Sequence, residues 1–138
     1  MPVLAKKRLR GVRNVILQVI NQSCPEVSLS YGRPRHEERV NLVVPVVVVP
    51  VERGELFTQQ AFTAVTKEFS STGMAIVLDR PMGLDEVIVG VRRVGELVFL
   101  RAHTRHLTSI GGGFFQLGFR LTEVVHAGDY PVLESVML

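Results

Sequence analysis

Between Leu42 and Val51 the chain reads Leu-Val-Val-Pro-Val-Val-Val-Val-Pro-Val, and no other stretch restricts the fold as strongly. Branching at Cβ disfavours helix and suits a pleated, buried surface, so the segment is expected to be a strand. It is about half a membrane span and carries two prolines, which argues against a membrane helix. Pro45 and Pro50 cannot donate to a ladder, and this predicts an edge strand or a bulge.

Beyond Val51 the chain repeats short apolar runs separated by polar or glycine-bearing turns. Glu52-Arg53-Gly54-Glu55 reads as a turn, and residues 62–67 alternate as a second strand. Glu68-Phe69-Ser70-Ser71-Thr72-Gly73 reads as a polar turn, and Met74 to Leu78 as a third strand. Glu86 to Val94 and Glu96 to Leu107 form an expected hairpin about Gly95; Gly111-Gly112-Gly113 then turns into a last strand, Phe114 to Leu121. Asp129 is expected to cap a short final helix with Pro131 in its first turn and apolar Val132, Leu133, Val136 and Met137. Six short strands bracketed by helices predict a mainly β fold, a small antiparallel barrel with polar turns at its rim.

Ahead of the barrel, residues 3 to about 22 have helical spacing. Leu9, Val12, Ile16 and Val19 or Ile20 share one face, and Lys6, Lys7, Arg8, Arg10 and Arg13 fall largely on the others. Such a helix suits a membrane, a nucleic acid or a partner; packed on the following domain with its basic face solvated, it needs none of these, and that is the simpler reading. The organisation expected is a basic helix and linker over 1–32 and a barrel domain over 33–138. Residues 1–40 carry eight Lys/Arg against three Asp/Glu, and the remainder eight against ten, so an anion is met by the front of the chain. Cys24 is the only cysteine, which excludes an internal disulfide and a cysteine metal cluster. Its neighbours do not suit a lipid-attachment cysteine, and polar Asn14, Gln18 and Asn21 break the match to a signal peptide; a cytoplasmic protein is expected.

Just before the valine run, Arg33, Arg35 and Arg39 crowd together, relieved in part by Glu37 and Glu38. Read alone, this is a solvated basic linker, or an arm waiting for an anion. Pro34 makes it extended or turning. His103 and His106 would face opposite sides of a strand with no third metal ligand evident. Ser70 lacks a nucleophile elbow and a base, and the glycine triplet lacks the Gly-Lys-Ser/Thr of a phosphate loop. Nothing in the sequence argues for catalysis.

Arg35-His36-Glu37-Glu38-Arg39 fits the RxxxR signature of PilZ domains, bacterial receptors for cyclic di-GMP. Glu68-Phe69-Ser70-Ser71-Thr72-Gly73 stands where that family has [D/N]xSxxG, between its second and third strands, with 28 residues between Arg39 and Glu68. Gly118-Phe119-Arg120 resembles a glycine-aromatic element of the family's last strand. The resemblance covers roughly residues 33 to 135. A second match to RxxxR, Arg101 to Arg105, is expected to put both arginines on one surface of the fifth strand.

The resemblance implies a six-stranded PilZ-like barrel that binds cyclic di-GMP through Arg35, Arg39, Glu68, Ser70 and Gly73, with Arg33 as a further cation. Arginine grips phosphate bidentately and also pairs with or stacks on guanine. Ser70 hydrogen-bonds the ligand, Gly73 supplies a positive φ and close approach, and an acid at 68 accepts from the guanine Watson–Crick edge. Glu68 departs from the family's Asp or Asn and reaches one methylene further. The implied role is non-enzymatic: nucleotide binding coupled to a conformational switch and to a protein partner. The alternative is a barrel without nucleotide, acting through contacts with another protein or as a homodimer. Nucleic acid is not the expected partner, because aromatics are 7% with no tryptophan and the cations lie largely outside the barrel.

Overall fold

The computed structural model describes residues 3–23 and 39–138. Arg33 and Arg35, with the rest of the expected cationic arm before Arg39, lie outside the described residues. Eight strands follow in order: β1 (Val40–Asn41), β2 (Pro45–Glu52), β3 (Glu55–Leu56), β4 (Phe62–Ser70), β5 (Gly73–Leu78), β6 (Glu86–Arg93), β7 (Glu96–Gly111) and β8 (Phe114–Val125). The six long ones form an antiparallel sheet ordered β4-β5-β8-β7-β6-β2, and β2 pairs back to β4 to close the barrel. The two-residue β1 and β3 are the additions to the six strands expected, β1 along β4 and β3 along β2.

The valine run lies in the closed wall, not at an edge. Val46 and Val48 point inward and Val47 and Val49 outward, yet all four are buried. The prolines are accommodated by position. Pro45 is the first residue of β2. Pro50 accepts a hydrogen bond at its carbonyl from Phe57 N at 2.9 Å, past the point where β4 stops pairing at Val48; the reciprocal bond is the one proline cannot make. Leu42 to Val44, expected to be strand, are held instead by buried Thr66, whose Oγ1 donates to Leu42 O at 2.6 Å and accepts from Val44 N at 2.9 Å.

Two hairpins turn tightly, at Arg53-Gly54 and Val94-Gly95. Both residues of each pair have positive φ, the geometry that matches the twist of paired strands. The last hairpin is longer than its sequence suggests: β7 runs on to Gly111 and β8 to Val125.

Helix α1 (Val3–Ser23) packs against β8 and β6. Val12, Val15, Ile16, Val19 and Ile20 enter the same core as the inward residues of the barrel, each burial worth roughly 1.5–3 kcal/mol of transfer free energy. Leu9 is only half-buried, and all five cations of the helix are exposed. The carboxamide of Gln22 ties the helix end to the β6–β7 hairpin, donating to Arg92 O at 2.8 Å and accepting from Val94 N at 2.6 Å.

The expected final helix is replaced by two short 3-10 turns, Ala127–Asp129 and Pro131–Ser135. Tyr130 precedes the second, and no side chain caps it, so Asp129 is not a cap. Leu133 is buried against a smaller outer core with Val49, Val51, Ile88, Phe99 and Val125, whereas Val132 and Met137 are exposed. No helix among the described residues is long and apolar enough to cross a membrane.

Candidate functional site

The end of β4 decides what the site contains. Thr66 pairs with Ile76 and Glu68 with Ala75, so Lys67 is an extra residue in the ladder. Such a bulge inverts the strand's alternation. Before it, Phe62, Ala64 and Thr66 turn toward the core; after it Phe69 does, fully buried, and Glu68 and Ser70 turn outward. Glu68 to Ser70 are therefore strand, and the expected polar turn shrinks to Ser71 and Thr72. β1 pairs Val40 with Phe69 and Asn41 with Glu68, which brings Arg39 alongside Ser70.

These residues line an open cleft of about 360 Å³ on the outside of the barrel. Its floor is made of small outward residues of neighbouring strands: Gly73 and Ala75 on β5, opposite Arg120 and Gly118 on β8. Arg39, Arg105 and Arg120 line it with Glu68 and His106, so among the described residues three guanidinium groups face one carboxylate. Lys67 reaches the rim, donating to Gln116 Oε1 at 2.9 Å. A second depression, about 520 Å³ and lined by Val47, Thr58, Phe62, Val136 and their neighbours, has no charged side chain and does not suit an anion.

Arg39, Glu68, Ser70 and Gly73 are thus brought together from two separate motifs. Arg39 Nη1 donates to Glu68 Oε1 at 2.9 Å, with the arginine side chain 63% exposed and the glutamate 18%. An ion pair this open to solvent is worth less than about 1 kcal/mol. Among the described residues, one N–H of the fork is used.

Gly73 works differently from expectation. It is not among the positive-φ residues; it lies in regular strand, and a Cβ there would sit 3.0 Å from Phe119 O and 3.0 Å from Ser70 Oγ. Close approach, not an unusual φ, requires the glycine. Gly118 likewise leaves room for the imidazole of His106, whose Cε1 would lie 2.7 Å from an added Cβ.

Arg101 and Arg105 both face the outside of the barrel, as expected, but in separate environments. Arg105 is a bulge residue on β7, between Thr104 opposite Phe119 and His106 opposite Gly118, and it lines the cleft. Arg101 is only 18% exposed. It bonds Glu86, reaches Glu123 at 3.9 Å and donates to Tyr130 Oη at 3.0 Å, pinning the C-terminal turns to the barrel. Burial alone would lower its pKa, but the bonded Glu86 and the neighbouring Tyr130 and Glu123 hold it above the usual guanidinium value. Arg120, Arg105 and His106 were not among the expected site residues. Arg120 had a signal in the Gly118-Phe119-Arg120 element, since the residues flanking inward Phe119 must face out; His106 had none, because the bulge at Arg105 turns it outward against the alternation. Among the described residues no three His, Cys, Asp or Glu side chains gather as a metal site.

No protein-family model and no curated protein sequence matches the chain. Among solved structures it is similar to the inhibitor of motility MotI/DgrA of Bacillus subtilis, with a TM-score of 0.52 and 17% identity over 73% of this chain and 48% of that one. The chain therefore spans about half the length of that protein. The PilZ domain of CeSA from a cellulose-synthesizing bacterium aligns over 62% of this chain and 81% of its own at 25% identity, with a TM-score of 0.40. The likeness to MotI/DgrA concerns the fold, and the fold class expected from the sequence, a mainly β antiparallel barrel with an N-terminal helix, is the one adopted.

Proposed function

We propose that the chain is a cyclic di-GMP-binding signalling domain whose ligand occupies the cleft between the β4–β5 turn and the β7–β8 hairpin. One observation carries this reading: Arg39, Glu68, Ser70 and Gly73, drawn from two motifs, line one cleft whose other charged residues, among those described, are Arg105 and Arg120. The cations answer the two phosphates of the ligand. The floor of Gly73, Ala75 and Gly118 gives a flat base room to lie close to backbone, and Glu68 offers an acceptor for guanine N–H groups. Arg35 and Arg33 precede Arg39 in the chain and act with it on the same ligand. The role is a cytoplasmic one, in which binding switches how the barrel and helix α1 meet a protein partner.

A second reading has its own observation. Glu68 is already bonded by Arg39, so the acceptor meant for guanine is partly engaged, as in a barrel that works through protein contacts without nucleotide. Calorimetric titration of the intact chain with cyclic di-GMP separates the two. Saturable heat that Arg35→Ala and Arg39→Ala each weaken at least tenfold supports the sensor. Absence of heat, with a stable complex in a partner pull-down, supports the interaction module.

A further inference from the structure

Strand β7 outruns its neighbour. It pairs with β6 as far as His103, opposite Glu86, and the next bond is Thr104 N to Asp85 O at 2.8 Å. From Arg105 to Gly111 it pairs only with β8. Among the described residues, nothing hydrogen-bonds to the other side of this stretch through the backbone. A row of peptide N–H and C=O groups is left at a sheet edge, a template for another strand.

Soluble proteins usually protect such an edge with lysine, proline or an inward charge. Here residues 106–119 contain no lysine, arginine, aspartate, glutamate or proline, and no longer run without charge exists in the chain. Three large apolar side chains stand out from the hairpin: Leu107 41% exposed, Ile110 41% and Phe114 49%. Bulges at Arg105 and Ile110 bound a regular segment, His106 to Ser109, so any ladder formed is short and these apolar groups must supply the rest of the burial.

We infer that this hairpin edge is a self-association surface, where a second copy of the chain pairs the same edge antiparallel about a two-fold axis. Charge selects the occupant. An uncharged run offers nothing specific to an acidic or a basic peptide, whereas its own copy meets it without repulsion. The one charge at the edge, Arg105, lies at the end away from Gly111. Antiparallel pairing therefore sets the two copies' Arg105 side chains at opposite ends of a seam from Arg105 to Gly111, six residue steps or roughly 20 Å at about 3.3 Å per residue. That is well beyond the screening length of about 8 Å in physiological salt. A two-fold, self-complementary contact is also the commonest way for a single chain to assemble.

Sedimentation of the intact chain over a dilution series tests this, beside the variant Leu107→Lys/Ile110→Lys. Both side chains are solvent-exposed and outside the cleft, so the variant is expected to keep the wild-type circular dichroism and melting temperature. The wild type should move reversibly from twice the 15.3 kDa chain mass toward the single mass on dilution, and the variant should dissociate at least tenfold more readily. Amide exchange adds a readout independent of the variant: residues 106–110 should exchange several-fold more slowly at the concentrated end than at the dilute end. A wild type that stays at the single mass throughout overturns the inference. So does association unaffected by the two lysines, or edge amides equally protected at every concentration, which would mean that another stretch of the same chain covers the edge.

Discussion

Replacing Arg39 with alanine separates a ligand contact from a structural one, because the two roles carry different magnitudes. Among the described residues the side chain makes one ion pair, to Glu68 at 2.9 Å, and 63% of it is exposed. Exposed pairs contribute about 0.2–1 kcal/mol, and at roughly 3–4 °C per kcal/mol for a domain of this size the melting temperature should fall by no more than about 4 °C. If the same fork grips a phosphate of cyclic di-GMP, the loss on binding is that of charge-assisted hydrogen bonds. That amounts to about 1.5–3 kcal/mol, or roughly 10- to 150-fold in Kd. Arg39→Lys keeps the charge and loses the fork, and should fall between. Thermal melts with and without ligand, together with calorimetric titration of all three proteins, measure both quantities. The reasoning is refuted if Arg39→Ala binds within about threefold of the wild type, or if its melting temperature drops far more than an exposed pair can explain.

Gly73→Ala should lower stability by about 1–3 kcal/mol, seen in denaturant melts, because the new methyl meets Phe119 O at 3.0 Å and a backbone atom cannot step aside cheaply. Gln22→Ala removes both bonds to the β6–β7 hairpin and should cost about 1–2 kcal/mol, with faster amide exchange along Val12 to Ile20 than in the sheet. Arg101→Met breaks the contacts to Glu86, Glu123 and Tyr130; partial burial puts the loss at about 1–3 kcal/mol, with the C-terminal turns loosening first under limited proteolysis. Because the folded-state pKa of Arg101 is raised, its stabilisation is fully present below the ordinary guanidinium pKa and is lost only as pH climbs through the raised value. The stability gap between wild type and Arg101→Met should therefore not change between pH 6 and pH 9 through this group's own titration, and pH-dependent melts check it.

What the residues revealed in advance divides along physical lines. The valine run, the alternation in 62–66 and the hairpin about Gly95 are local patterns, and the strands they announce are present. Helix α1 was legible for the same reason, down to its packing on the barrel through Val12, Ile16 and Val19. Where reading failed, a long-range fact had overruled a local one. Pro50 looked like an edge residue, but its missing N–H falls where β4 has already ended. Polar Glu68 and Ser70 looked like turn, but the extra residue Lys67 keeps them in strand facing out, with Phe69 between them facing in. Period-two counting puts Arg105 on the outer face correctly but sends His106 inward, and the bulge at Arg105 turns it out to the cleft instead. Of the site, Arg39, Glu68, Ser70 and Gly73 could be named from motifs alone, whereas Arg105 and His106 required the register of β7 against β8.

The central claim, that the cleft beside the β4–β5 turn is where cyclic di-GMP sits, is tested most directly by following backbone amide resonances of the intact chain during a titration with that nucleotide. The account predicts saturable shifts concentrated on residues 68–75, 105–106 and 118–120, with the far side of the barrel around Val47, Thr58 and Val136 unmoved. Saturable shifts clustered on that far side, or a spectrum unchanged at ligand excess, would contradict it.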